Sequence, residues 1–291
     1  MDVSIIVVNY NTEKLILNCL DSIYEKTEGL DFEIIVVDNN SPNKPQVLKV
    51  DSRIEYIQSE TNLGFGKANN LGAQYAKGKY LFCLNPDTIL INNAVKELYK
   101  FMIEHKDIGI CGANLYQANM SAGHSYEMLS PGIRQEIINS RHCSSKRYNE
   151  DFNITNSPKE VAHVVGAALM ISKKLFNEIG GFDKDFFMYL EETYLCYQVK
   201  QKGYRIYNVP SAKIIHLEGQ SFTLKTKFED MFFDGRKTYL TKVYGKSYYY
   251  LSNFVYSINC FLNIVYLLFR GKKTEMQINL YRLRKTIAIF K

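Results

Sequence analysis

Lys79-Tyr80-Leu81-Phe82-Cys83-Leu84-Asn85-Pro86-Asp87 is the stretch on which the fold reading turns. Its first six residues form a short apolar run, the pattern of a strand buried on both faces of a sheet. Pro86 cannot extend a hydrogen-bond ladder, so the strand breaks there and presents Asp87 in a loop. An acid at the carboxyl end of such a strand stands where open α/β sheets bind ligands. A carboxylate there is suited to hold a divalent cation against phosphate oxygens. Taken alone, such an Asp is more often a turn former or helix cap, so the rest of the chain has to carry the reading.

Working outward, the same unit recurs. Residues 3–8 are apolar and β-rich and end at Asn9-Tyr10-Asn11-Thr12, with Thr12 placed to cap a helix through Leu15, Leu17, Cys19, Leu20 and Ile23. Residues 33–37 make a second buried strand ending at Asp38-Asn39-Asn40-Ser41-Pro42, and residues 53–57 a shorter third. Asn62-Leu63-Gly64-Phe65-Gly66 opens a helix carrying Ala68, Leu71, Ala73 and Ala76, closed by Gly78. After Asp87 come a helix near 93–105 and a strand near 108–115. Strand, polar loop, helix, repeated, predicts an α/β fold: a mostly parallel sheet with helices on both faces. Every candidate so far follows a strand, on one rim of that sheet.

A second informative region begins with the apolar, small-residue run Val164-Val165-Gly166-Ala167-Ala168-Leu169-Met170-Ile171, read as a strand. A short helix over 173–179 and Gly180-Gly181-Phe182-Asp183 follow it. Phe186-Phe187-Met188-Tyr189-Leu190-Glu191-Glu192-Thr193-Tyr194-Leu195-Cys196 then leads into a helix ended by Gly203. Paired carboxylates at a helix start are favourable to the helix dipole whatever else they do. Adjacent helical residues do not share a face, so one of the two at most points into a pocket. Lys213-Ile214-Ile215-His216 is a short strand ending in histidine, as consistent with a packed edge residue as with a ligand.

These motifs resemble the family 2 glycosyltransferases, which have the GT-A fold, a Rossmann-like sheet. The resemblance runs from about residue 2 to about residue 221. Residues 3–12 are similar to the family's opening strand and loop, and Val36-Val37-Asp38-Asn39-Asn40-Ser41 to its second strand end. Asn62-Leu63-Gly64-Phe65-Gly66-Lys67-Ala68-Asn69-Asn70 is similar to the segment lying along the nucleotide, and Asn85-Pro86-Asp87 stands where many members carry Asp-x-Asp. The asparagine–proline form looks like the branch rich in bacterial rhamnosyltransferases of surface polysaccharides. The resemblance implies a catalytic domain over 1–221, with a nucleotide-sugar half near 1–116 and an acceptor half near 160–221.

It also implies roles. Asp38 would accept a hydrogen bond from the pyrimidine or ribose, flanked by the Asn9 to Asn11 backbone; the same carboxylate could instead close an Asx turn with Asn39 and Asn40. Asn62, Asn69 and Asn70 would lie along the nucleotide. Gly64 and Gly66 would let backbone approach a ligand at a helix N-terminus. Asp87, with His216, would hold Mg²⁺ or Mn²⁺ at the diphosphate, and Asn85 leaves that site one carboxylate short. The family's Glu-Asp-x-Asp corresponds to Glu191 to Tyr194, so its general base maps to Glu192, favoured over Glu191, and Tyr194 replaces the last acid. The implied activity is inverting transfer of rhamnose or another hexose from dTDP-rhamnose or a UDP-hexose to a saccharide or lipid-linked saccharide.

Composition fits a reduced, cytoplasmic enzyme. The 291 residues, 46% hydrophobic, suffice for one large core plus an appended element. Six cysteines show no C-x-x-C pair, and Cys19, Cys83 and Cys196 fall within expected helices or a strand, reading as buried thiols. Asp2 stands where a signal peptide would be basic, so no secretory leader is expected. Residues 117–158, polar and basic around 141–147, read as an irregular surface loop or a flexible lid.

Charge is uneven. Residues 236–291 hold eleven Lys/Arg and one acid, a net of +10 against +6 overall, leaving −4 for residues 1–235. Within this tail, residues 247–269 contain no charge, glycine or proline and are long enough to span a bilayer. Yet Ser252, Tyr256, Asn259, Asn263 and Tyr266 recur at helical spacing opposite Leu251, Phe254, Val255, Ile258, Leu262 and Val265. Two distinct faces predict a helix lying in an interface or packed on the catalytic domain. Residues 222–291 therefore read as a helical extension that associates with anionic headgroups through Arg270, Lys272, Lys273, Arg282, Arg284 and Lys285. The expected location is peripheral, on the cytoplasmic face, with no nucleic-acid partner.

Two other functions share some of these features. Gly64-x-Gly66-x-x-Asn69 imitates a dinucleotide fingerprint, with Asp87 as its ribose acid, but the third glycine is missing and the motif does not follow the first strand. The altered Asn85 and Tyr194 positions would also suit a non-catalytic nucleotide- or carbohydrate-binding scaffold.

Overall fold

The computed structural model describes residues 1–43, 45–141, 151–217 and 225–290. In chain order the elements are β1 (Val3–Asn9), α1 (Glu13–Lys26), β2 (Phe32–Asp38), α2 (Gln46–Val50), β3 (Glu55–Gln58), α3 (Phe65–Tyr75), β4 (Tyr80–Leu84), β5 (Thr88–Leu90), α4 (Ala94–Glu104) and β6 (Ile108–Tyr116). There follow β7 (Tyr126–Glu127), α5 (Ile133–Arg141), β8 (Lys159–Glu160), β9 (His163–Val164), β10 (Ala168–Ser172), α6 (Lys173–Ile179), α7 (Glu191–Gln201) and β11 (Arg205–His216). Three long helices close the chain: α8 (Lys225–Tyr244), α9 (Lys246–Phe269) and α10 (Lys273–Ala288).

Nine strands among the described residues join one sheet, in the order β3-β2-β1-β4-β10-β6-β11-β5, with β8 on β11. The four strands of the N-terminal repeat are parallel, so their carboxyl ends share a rim. Asn9, Asp38 and Gln58 stand in one register row there. Alternation along β1 explains the layers. Val3, Ile5 and Val7 face Ile16, Cys19, Leu20 and Ile23 of α1 and Val95, Leu98 and Phe101 of α4. Ile6 and Val8 belong to the opposite core, with Ala68 and Ala73 of α3, Phe176 of α6, and Leu195 and Val199 of α7.

Several local expectations are corrected. Thr12 precedes α1, but its hydroxyl does not cap the helix; it donates back to Asn9 Oδ1 at 2.8 Å. The run expected as one strand over 164–171 is split, because a turn at Val165–Ala167 separates β9 from β10. β10 runs antiparallel between β4 and β6, which returns its first residues to the functional rim. Immediately after Asp87, β5 pairs antiparallel with the end of β11. Three residues between loops carry too little periodicity to announce a strand. The segment expected to be irregular contains α5, which packs on α9. Part of that expected loop, residues 142–150, and the expected boundary at 221/222 lie outside the described residues.

The cysteines at 19, 83, 111, 196 and 260 are free and buried, and burial pushes the thiols of Cys19 and Cys83 up to about 12. Cys143 lies outside the described residues.

Candidate active site

At the ends of β1 and β2 the side chains form a closed polar lattice. Asp38 is fully buried, and Asn9 Nδ2 and Ser41 Oγ donate to its Oδ1 at 2.7 and 2.5 Å. The Ser41 amide and Gln58 Nε2 donate to Oδ2 at 3.2 and 2.7 Å. All four acceptor positions of the carboxylate are taken. A nucleotide reaching Asp38 would have to displace a donor, and the exposed one is Gln58, which also accepts from Tyr56 Oη at 2.9 Å and donates to the Ser59 carbonyl at 3.2 Å. Ser41 Oγ also accepts from the Asn11 amide at 2.8 Å, fixing Asn11 in the left-handed region at φ 57°. Asn40 is left-handed too, at φ 62°, and exposed. Asn9, Asn11, Thr12, Lys14 and Asn43 line an open cleft of about 270 Å³ at this end.

Asn39 latches the next loop. Its amide donates to Asn62 Oδ1 at 3.0 Å and to the Gly64 carbonyl at 3.2 Å, and its own oxygen accepts from the Leu63 amide at 2.8 Å. Asn62 Oδ1 also accepts from the Gly64 amide at 3.0 Å. The glycines of this loop make room for the protein's own chain. A Cβ on Gly64 would overlap the Phe187 carbonyl oxygen, which accepts from the Phe65 amide at 3.1 Å. A Cβ on Gly66 would sit 2.8 Å from Phe182 Cβ and 3.5 Å from Glu191 Cγ. Asn70 spends both ends of its amide on Phe182, accepting from its N–H at 2.9 Å and donating to its carbonyl at 2.7 Å. Asn69 is buried, donates to the Phe65 carbonyl at 3.0 Å, and has no partner for its Oδ1. Thus α3 is bolted to the segment that carries the glutamates.

Gly64 has φ 79° and ψ 179°, a region that costs a residue with a Cβ about 1–3 kcal/mol. With the backbone overlap added, Gly64→Ala should lose more than about 2 kcal/mol in urea unfolding. A variant as stable as the wild-type protein would show that α3 is not pressed on residue 187.

Glu191 and Glu192 open α7 behind two left-handed non-glycine residues, Tyr189 and Leu190, at φ 69° and 68°. A Cβ on Gly235 of α8 would overlap the Tyr189 carbonyl oxygen, so this entry is clamped from both sides. Glu191 is buried under α3, and its Oε2 has no hydrogen-bond partner. Burial, and then the charge of Glu192, hold its carboxyl well above the usual range. Glu192 is partly exposed on the other face, its carbons 3.4 Å from where a Cβ on Gly166 would be. Burial raises it as well, while the first backbone N–H groups of α7 and the nearby His124 pull it back. Two coupled carboxylates in this position share their titration, with Glu191 the harder to ionise.

Tyr194, one turn on, points away from the glutamates into the C-terminal helices. Its ring lies 5.4 Å from Phe186 and 6.3 Å from Tyr239, with Lys242 Nζ over it at 5.7 Å. Lys242 in turn pairs with Asp183 at 2.9 Å and Asp185 at 2.8 Å. The tyrosine in place of an acid therefore serves the docking of α8.

On the other side of the rim, His216 Nε2 lies 3.3 Å from Asp87 Oδ1 and 3.5 Å from Asn85 Nδ2. The pairing of Thr88 with His216 in the β5–β11 ladder is what brings them together. Both side chains are largely buried. Adjacent ligands of one octahedral ion, each about 2.1 Å from it, stand about 3 Å apart, so this oxygen and nitrogen fit a shared divalent cation. The Asn85 amide donates to the Ala167 carbonyl at 2.9 Å, one residue from Gly166. Antiparallel β10 thereby joins the Asp87 side of the rim to the Glu192 side.

Residues 4–180 match the family model described as Glycosyl transferase family 2. The chain belongs to that family. This glycosyltransferase is 28% identical over 258 residues to the low-salt glycan biosynthesis hexosyltransferase Agl10 of Haloferax volcanii, covering 84% of this chain and 78% of that one. It is 27% identical over 229 residues to the rhamnosyltransferase WbbL of Escherichia coli K12, covering 74% and 83%. Among solved structures, GalNAc-T7 with UDP, GalNAc and Mn²⁺ superposes with a TM-score of 0.63 at 18% identity, which speaks to the fold: α/β, GT-A-like, with C-terminal helices added. That match covers 89% of this chain and about half, 51%, of the other.

Gln58 and His124 are the members of the site that the sequence reading did not name, while Asn39, Ser41 and Gly166 were named only as parts of their motifs, with no role in catalysis or binding. Gln58 was recoverable, since it ends β3 in register with Asp38. Gly166 and His124 carry no local signal, because only the antiparallel return of β10 and the β7–β9 pairing bring their segments to the rim.

Proposed function

We propose that this glycosyltransferase is inverting and moves rhamnose or a related hexose from a nucleotide-diphosphate donor to a saccharide, carried on a lipid, during surface-glycan synthesis. The observation that supports this most is the joining of two carboxylate centres by one peptide hydrogen bond, Asn85 N–H to Ala167 O, with Gly166 against Glu192 next to it. One centre suits an acceptor hydroxyl, the other a leaving diphosphate.

In this reading Glu192 accepts the proton of the acceptor hydroxyl. The freed oxygen bonds to the anomeric carbon from the side opposite the diphosphate, and the bond from that carbon to the diphosphate oxygen breaks. The raised pKa of Glu192, pushed up by burial, makes it a stronger base than an exposed glutamate. Asp87 and His216 are the residues that would hold Mg²⁺ or Mn²⁺, which supplies positive charge to the departing diphosphate. The Asn9–Asp38–Ser41–Gln58 lattice shapes the nucleotide end, and the latch through Asn39 keeps α3 against the glutamate segment. Likeness to a rhamnosyltransferase and a hexosyltransferase makes dTDP-rhamnose the first donor to try, with UDP-hexoses beside it.

The test is a thermal-shift screen of nucleotide sugars with Mn²⁺, followed by an anomeric-proton NMR assay of transfer from whichever donor stabilises the protein. Product of inverted configuration is expected. Stabilisation without donor hydrolysis or transfer, across metals and acceptors, would favour a binding scaffold instead.

A further inference from the structure

Helix α9 is packed inside out for a water-soluble protein. Three of its polar residues, Ser252, Asn253 and Asn259, face the protein at 0%, 0% and 7% exposure, beside Tyr249, Cys260 and Leu267. They meet a charged pair with almost no solvent contact, Arg236 of α8 and Glu136 of α5, 3.3 Å apart. Arg236 donates to Asn253 Oδ1 at 2.6 Å and to Ser252 Oγ at 2.7 Å, and its guanidinium lies 4.9 Å from the Tyr256 ring centre. Asn259 Nδ2 donates to the Glu136 carbonyl at 2.7 Å. The opposite face presents Leu251, Phe254, Ile258, Phe261, Leu262, Val265, Leu268 and Phe269 to the outside, the last at 89% exposure. A continuous apolar strip of this kind marks an interaction surface.

The charges beside this strip indicate what covers it. The turn after Phe269 carries Arg270 and Lys272, and α10 carries Lys273 and Arg284. Arg270, Lys273 and Arg284 are exposed and make no ion pair among the described residues. Arg282 and Lys285, counted with them from sequence, are committed elsewhere: Arg282 grips Glu229 through two hydrogen bonds of 2.8 and 2.6 Å, and Lys285 pairs with Asp230 at 2.6 Å. Lys272 pairs with Glu275 at 2.8 Å. An apolar strip bordered by unpaired cations complements an anionic lipid surface.

By length and hydropathy α9 could cross a bilayer. Its stitched side argues against that. Crossing would carry the Arg236–Glu136 pair and its amide partners into hydrocarbon or tear them apart, and either is costly. We propose that α9 lies in the plane of an anionic membrane, its apolar face among the acyl chains and Arg270, Lys273 and Arg284 on the headgroups, and that the buried Arg236–Glu136–Asn259 stitch fixes which face points down.

This goes beyond the choice of sugar or acceptor and is tested without either. The chain has no tryptophan, so Ile258→Trp is a single fluorescent reporter at the middle of the exposed face. The full-length variant should sediment with phosphatidylcholine–phosphatidylglycerol vesicles, and its emission should shift to the blue. Lipids brominated near the headgroups should quench it more than lipids brominated at the chain ends. The triple change Arg270→Glu, Lys273→Glu, Arg284→Glu should weaken vesicle binding by roughly two orders of magnitude, at about one kcal/mol per cation. High salt should do likewise. Phe261→Ser with Leu262→Ser should weaken it at any salt, with unchanged circular dichroism and donor-induced thermal shift. Quenching strongest from chain-end bromines, with binding indifferent to charge and salt, would mean that α9 spans. A lipid-free dimer by light scattering that Leu262→Ser dissociates, with no vesicle binding, would give the strip to a second copy. Either result overturns the proposal.

Discussion

Glu192→Gln is expected to retain donor affinity and to lose at least ~100-fold in transfer, the lower end of what a general base contributes. The amide keeps the shape of the side chain against Gly166 and removes only its capacity to take a proton. The pH profile separates this from simple disturbance. Glu192 is raised by burial, so the acidic limb of kcat/KM should lie above the ordinary glutamate range, about 4.3. Transfer should fall as pH drops through that limb, and Glu192→Gln should abolish the limb together with the rate. Glu191→Gln should behave differently, with a much smaller loss of transfer and a stability gain that depends on pH. Glu191 is buried without a partner for one oxygen and its folded-state pKa is raised. The contribution of its neutral form is complete below the unfolded value and is lost as pH rises toward the folded one. The advantage of Glu191→Gln in urea unfolding should therefore grow from acid to alkaline pH. If Glu191→Gln is the variant that loses transfer and the acidic limb, the base is Glu191.

Much of the fold could be read from the sequence because its strands are buried on both faces. Continuous runs such as residues 3–8 and 33–37 have no competing helical reading at that length, and each ends in a polar loop. Helix α9 was legible as two-faced, but which face turned inward was not. Glu136 and Arg236, one hundred residues apart, decide that by forming a buried pair that only polar residues of α9 can satisfy. The same limit applies to Arg282 and Lys285, whose acidic partners on α8 are more than fifty residues away. Around the rim, Asn9, Asp38, Asp87, Glu192 and His216 were recognisable as polar residues at element ends. Their neighbours were not. Gly64 and Gly66, expected to admit a ligand, admit residues 182–191, and Asn70 holds Phe182 rather than standing free for a nucleotide. A motif records that close approach is needed there; the partner is set by the tertiary fold.

Asp87→Asn should make donor binding indifferent to Mn²⁺. The substitution keeps the size of the side chain and the backbone contact in which the Asp87 carbonyl accepts from the Leu217 amide at 2.9 Å, while removing the charge beside His216. With Asn85 already neutral, the variant leaves no carboxylate in the Asn85-Pro86-Asp87 loop, and a hard cation held by oxygen ligands loses most of its attraction. In calorimetric titrations the Mn²⁺-induced gain in donor affinity should fall by at least ~10-fold, a modest loss for a change at a metal-holding group. Transfer should drop by roughly 100-fold or more, as when one preorganised charge-stabilising group is removed. His216→Ala should do the same to a smaller degree, since Asp87 remains. A merely structural ion pair predicts the opposite pattern: both variants would lower the metal-free melting temperature and leave the ratio of donor affinities with and without Mn²⁺ unchanged. That ratio is the deciding measurement, because it cancels any general loosening of β5 against β11. If it survives in Asp87→Asn, the cation is held elsewhere, and the Asp87–His216 contact belongs to the sheet edge alone.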